Sequence, residues 1–98
     1  MLSRLAGELA EAIKDQDWSD APYRFDRAGH NRARDSRAKL ATQLDAEQTQ
    51  TVQANVALVV AEVLSNADPN FDRVEFARAC GVTRYSDDGL RAGAAIEP

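Results

Sequence analysis

The chain has 98 residues, a formal charge of −4 and a sequence pI near 4.9, a length that allows one domain and no more. Its 44% hydrophobic content is diluted by 18 alanines, and Leu, Ile, Val and Phe together number only 20, close to the lower limit at which burial offsets the conformational entropy of folding. One cysteine, Cys80, and one histidine, His30, exclude an internal disulfide and a zinc cluster, so neither a metal nor another cofactor is expected.

A core this thin is either compact with disordered ends or completed by a second copy or a partner. No apolar run approaches the ~20 residues that span a bilayer, and Arg4, Glu8, Glu11, Lys14 and Asp15 stand where a secretory leader would be apolar. The expected location is the cytoplasm, with no membrane partner. Charge is unevenly placed. Residues 22–39 hold Arg24, Arg27, Arg32, Arg34, Arg37 and Lys39 against Asp26 and Asp35, a local +4, and the rest of the chain carries −8. The whole protein is repelled by nucleic acid at long range, while that one segment suits a phosphate or an acidic protein surface.

In chain order, residues 2–16 read as an amphipathic helix with Leu2, Leu5, Leu9 and Ile13 at three- and four-residue steps. Residues 17–29 break the period with Asp17, Ser19, Asp20, Pro22 and Gly29 and gather Trp18, Tyr23 and Phe25, which predicts an ordered aromatic loop. Burial of these aromatics at the open end of a bundle is favoured over an exposed hot spot, because bulky residues are scarce elsewhere. Residues 31–44 are good helix formers with a thin apolar face, Ala33, Leu40, Ala41 and Leu44, and predict a mostly exposed helix. Asp45, with Gln48 three residues later, offers a restart, which leaves open whether 31–66 is one helix or two.

Residues 46–66 carry the strongest period. Val52, Val56, Val59 and Val63 form a stripe that Val60 and Leu64 widen. Valine loses rotamer freedom in a helix, so burial has to hold this segment helical, and it is read as the central core element. After Asn66–Asn70, which holds Pro69, a helix over 72–80 is well punctuated. Asp72 caps it, Glu75 completes a capping box, Phe71 and Phe76 form a staple, and Gly81 follows its end. Beyond Gly81 the Asp87-Asp88-Gly89 run reads as a breaker, with a flexible tail over 83–98. The expected architecture is all-α: a single domain over 1–82, a small bundle of three to four helices at about 2–16, 31–44, 46–66 and 72–80.

The motifs carry little chemistry. Ala77, Gly81 and the following Val82-Thr83-Arg84 resemble the turn of a helix-turn-helix, but Asp87, Asp88 and Gly89 stand where the second helix needs apolar residues. A helix ending in a glycine cap accounts for the same residues more simply. The arginine segment, including Arg32, Arg34 and Arg37, suits phosphate contact but more simply forms a solvated face that pairs with acids of neighbouring helices. His30 has no nucleophile or carboxylate framing it, Cys80 reads as a small buried residue, and Asp87/Asp88 lie in the presumed tail. An enzyme is not expected.

The segment Phe71-Asp72-Arg73-Val74-Glu75-Phe76-Ala77-Arg78-Ala79-Cys80-Gly81, preceded by Asn70, resembles a short C-terminal segment of many small uncharacterised actinobacterial and actinobacteriophage proteins. Asp17-Trp18-Ser19-Asp20-Ala21-Pro22-Tyr23-Arg24 is similar to sequence from the same group. The resemblance covers about an eighth of the chain, and the chain departs from it by continuing 17 residues past Gly81. It implies a local helix and, for a phage-encoded chain, an accessory protein that binds or inhibits a host or phage protein in the host cytoplasm.

From the residues, the expected function is a non-enzymatic protein-interaction role with self-association, a homodimer in the first place, through Val52, Val56, Val59 and Val63. Trp18, Tyr23, Phe25, Arg32, Arg34 and Arg37 are the candidate contacts with a protein partner. The alternative is a small nucleic-acid-binding regulator using the 24–39 basic face or the 72–90 region.

Overall fold

The computed structural model describes residues 2–23 and 43–92, with the backbone alone at Tyr23 and Ala92. Among the described residues lie four α-helices and one 3-10 turn: α1 (Arg4–Asp15), the turn Ala21–Tyr23, α2 (Ala46–Ala67), α3 (Arg73–Ala79) and α4 (Asp87–Ala92). They include no strand, and the fold is the all-α bundle that the periodicity predicts. Of the helix expected over 31–44, only Gln43 and Leu44 are described, and neither is helical.

Ser3 starts α1 by accepting the Ala6 amide on its hydroxyl at 3.2 Å. The buried stripe of α1 is Ala6, Ala10 and Ile13, not the leucine line. Leu2 and Leu9 flank this stripe, but Leu5 is 63% exposed. At ~100° per residue Leu5 stands about a third of a turn off the line of Ala6 and Ala10, so a helix pressed down on its alanines turns that leucine outwards.

Asp45 and Gln48 form a complete capping box. The Asp45 carboxylate accepts the Gln48 amide at 2.7 Å, and the Gln48 side chain accepts the Asp45 amide at 3.1 Å. Helix α2 therefore begins anew at Ala46, which answers the question left open by the sequence: 31–66 is not one helix. It ends where Asp68 closes a last bond to the Leu64 carbonyl and Pro69 follows. Helix α2 is the central element, but it faces inward with Ala54, Ala57 and Ala61, which are 3%, 0% and 0% exposed. The valine stripe is not the buried face. Alanine has neither bulk to hold a neighbour away nor rotamers to lose, so the three alanines let α1 and α3 come close. Val59 and Val63 are left on the far side of the helix, while Val56 and Val60 pack in part against the core.

Helix α3 has the predicted cap, staple and closing glycine. The Asp72 carboxylate accepts the amides of Val74 and Glu75 at 2.9 and 3.1 Å. The Phe71 and Phe76 rings meet at 5.5 Å between centroids. Cys80 is the C-cap and Gly81 follows with φ +88°, the left-handed conformation that closes a helix end. A side chain at Gly81 would be doubly disfavoured, because a Cβ there would lie 2.8 Å from the Gln53 amide nitrogen.

The expected tail is corrected by the structure. The domain does not stop at 82: Asp87–Ala92 form α4, and Leu90 is 1% exposed in the same cluster as Phe76, Ala77, Cys80 and Val82. Ser86 acts as the cap, its hydroxyl accepting the Gly89 amide at 3.0 Å. The two aspartates then occupy a first turn, where carboxylates are favoured by the helix dipole, so this run starts a helix and does not break one. Arg78 fastens the connection. Its guanidinium donates to the Val82 carbonyl (2.9 Å), the Tyr85 carbonyl (2.7 Å) and the Asp87 carboxylate (2.8 Å). Residues 93–98 of the expected tail lie outside the described residues.

If 83–92 belongs to the folded unit, Leu90→Ala should lower unfolding stability by about 2–5 kcal/mol, the usual cost of emptying a buried leucine site. Urea unfolding followed by helical circular dichroism measures this, and a midpoint equal to wild type would return this segment to the status of a tail.

Candidate functional site

Helix α2 has two apolar faces. Taking ~100° per residue, the mean direction of Val52, Val56, Val59 and Val63 lies roughly 160° around the axis from that of Ala54, Ala57 and Ala61. The alanine face is sealed by the chain's own helices. The valine face is open in part: Val59 and Val63 are 67% and 65% exposed, while Val52 and Val56 are half-buried.

Val56 packs against the core cluster, and the cover beside Val52 has a local cause. After α1 the chain turns at Trp18–Asp20, with the Ser19 amide and hydroxyl both donating to the Asp17 carboxylate. The Ser19 carbonyl accepts the Leu44 amide at 2.5 Å, and the Gln43 side chain reaches the Ser19 hydroxyl. This draws the entry of α2 against the 18–22 turn. Ala21, Pro22 and Leu44 thereby line a shallow hollow with Thr51 and Val52 at the N-terminal half of the valine face.

Of the other predicted contact residues, Trp18 is half-buried against the core, and its indole NH donates to the Ile13 carbonyl at 2.9 Å. It closes the end of α1, the packing role favoured by the sequence. Tyr23 ends the 3-10 turn, and its side chain lies outside the described atoms, as do Phe25, Arg32, Arg34, Arg37 and His30 as whole residues.

Phe76, Ala77, Cys80, Val82 and Leu90 are buried together around Gly81, holding α4 against α3. The outward side of that unit carries Asp87 and Asp88, whose side chains are 58% and 98% exposed, beside the exposed Arg91 that pairs with Asp88. Each described arginine is matched to a described carboxylate, Arg4 with Glu8, Arg73 with Glu62, Arg78 with Asp87, Arg84 with Glu47 and Arg91 with Asp88, all within 3.0 Å.

No group of three or more His, Cys, Asp or Glu side chains is placed to hold a metal among the described residues. No described helix is long and apolar enough to cross a membrane. No protein-family model, curated protein or solved structure matches the chain.

Cys80 is fully buried, and burial pushes its thiol up from 9.0 to about 12. The thiolate is the nucleophilic form, so within the fold this sulfur is inert. The fold keeps the thiol neutral, whereas the unfolded chain ionises it near 9. The resulting stability is whole below pH 9 and is lost as pH rises from there towards about 12. Thermal unfolding across that window should therefore fall more steeply for wild type than for Cys80→Ala. Parallel curves would show that the thiol contributes nothing to the pH dependence.

Proposed function

We propose that this chain is a non-enzymatic interaction protein that associates with a second copy of itself through the exposed half of the α2 valine face. One observation carries the reading: Val59 and Val63 are two-thirds exposed on a helix whose opposite side is sealed. The resemblance of residues 70–81 to small actinobacterial and phage proteins adds an accessory role, in which the protein binds or inhibits a host or phage protein in the host cytoplasm.

Sedimentation equilibrium of wild type and of a Val59→Lys/Val63→Lys variant tests the self-association. Wild type is expected to gain mass with concentration in the high-micromolar range. The variant should stay monomeric with unchanged helicity, because both sites are already wet. A well-folded wild-type monomer throughout that range sinks the reading.

The second reading is a small nucleic-acid-binding regulator. It is favoured by the joint burial of Phe76, Ala77, Cys80, Val82 and Leu90 around the turn at Gly81, the packing a helix-turn-helix requires. The outward Asp87 and Asp88 and the internally matched arginines weigh against it. Binding to duplex DNA that falls steeply with salt, with a shallower slope after Arg32→Ala, Arg34→Ala and Arg37→Ala together, would support it. No binding at low salt ends it.

A further inference from the structure

We infer that residues 82–92 form a hinged lid that opens as one unit while the α1–α2–α3 bundle stays folded, uncovering the Phe76–Cys80 end of α3. The packing divides the molecule in this way. Helices α1, α2 and α3 pack on one another pairwise, whereas α4 packs mainly on α3. The bundle buries residues from all three of its helices, among them Ile13, Ala57, Ala61 and Phe76. The lid adds two buried side chains, Val82 and Leu90, at 0% and 1% exposure.

The lid's other attachments are polar and close to water. From α2, Gln50 accepts the Thr83 amide at 2.7 Å and Thr51 shares a hydrogen bond with the Tyr85 hydroxyl. Glu47 pairs with Arg84 through side chains that are 75% and 47% exposed. Water takes over such bonds at small net cost, so these contacts align the lid more than they hold it.

Helix α4 makes the opening all-or-none. It has six residues, with Gly89 among them, and isolated helices shorter than ~12–15 residues are marginal in water. Its turn therefore persists only while Leu90 is seated, and losing that seat releases the whole segment. Arg78 is the latch. From α3 it reaches the Val82 and Tyr85 carbonyls and the Asp87 carboxylate, which are the start of the lid, its middle and the first turn of α4. Gly81, with φ +88°, stands at the pivot.

Hydrogen exchange of the full chain under native conditions reads this directly, because each amide reports the opening that frees it. The Val82 and Leu90 amides, bonded to the Ala77 and Ser86 carbonyls, report the lid, and Ala57 at the middle of α2 reports the bundle. Ala61→Gly, about two turns beyond the α2 residues that reach the lid, should speed Ala57 about five-fold and leave Val82 and Leu90 unchanged. Arg78→Ala should speed Val82 and Leu90 by one common factor of about ten or more. Ser86→Ala, at an exposed cap, should act in the same direction by a few-fold and takes its place if Arg78→Ala does not fold. Cys80, the single thiol, reports the uncovering: its labelling by a thiol reagent should follow Val82 and Leu90 across the variants. If Ala61→Gly speeds Val82, Leu90 and Ala57 alike, the lid leaves only on global unfolding and the inference is overturned. Unequal factors at Val82 and Leu90 overturn the single unit, and Cys80 labelling that follows Ala57 overturns the uncovering.

Discussion

The close contact made by Ala54, Ala57 and Ala61 constrains the rest of the molecule. A helix can be pressed against two neighbours along a line of methyl groups only if nothing larger stands on that line. Ala6 and Ala10 on α1 and Ala77 on α3 repeat the arrangement on the other side. The bulk that fills the remaining space comes from few side chains, chiefly Phe76, Leu90 and Val82, each at most 1% exposed. Because the alanines face in, geometry sends Val59 and Val63 of α2 out. The open apolar patch is thus a consequence of how the core is packed, not an addition to it.

The inward face of α2 changes character along its length. Past Gln53 it is alanine, but its first two turns are polar, and they grip the segment after α3. Gln50 accepts the Thr83 amide at 2.7 Å, Gln53 donates to the Cys80 carbonyl at 2.5 Å, Thr51 and Tyr85 share a hydrogen bond of 3.1 Å, and Glu47 pairs with Arg84 at 3.0 Å. Buried backbone at a helix end must find partners, and this segment finds them on one neighbouring helix. Arg78 holds the same stretch from the other side. The chain after Gly81 is therefore part of the domain even though, among the described residues, it buries only two large apolar side chains, Val82 and Leu90.

Local signals were legible in the sequence wherever a short-range rule decides the outcome. The caps at Asp45 and Asp72, the Phe71/Phe76 staple and the glycine at 81 depend on residues within four positions of one another, and each takes its expected place. The choice of inward face was not legible. Hydrophobicity ranks valine and leucine above alanine, so the stripes Val52–Val63 and Leu2–Ile13 look like core, but proximity between helices is set by volume, which a periodic pattern does not reveal. Asp87-Asp88-Gly89 misled for a related reason. Composition marks it as a breaker, whereas Ser86 before it and Leu90 after it make it the capped and anchored first turn of α4.

The charge arrangement bears on what the surface can meet. The arginines of the described scaffold already hold its carboxylates, and exposed pairs of this kind contribute little to stability, typically under ~1 kcal/mol each. Their effect is on approach: little positive charge is left on the scaffold to attract a polyanion. The carboxylates outnumber these arginines, so a second copy is repelled wherever they stand. Around Val59 and Val63 that repulsion is weakest, since the flanks are uncharged and Glu62 is matched by Arg73. An acidic protein with a neutral apolar window of this kind should associate more readily as salt rises, because screening removes the repulsion and leaves the valine contact unaffected. A basic surface meeting a polyanion shows the opposite dependence, so the sign of the salt effect separates the two functional readings.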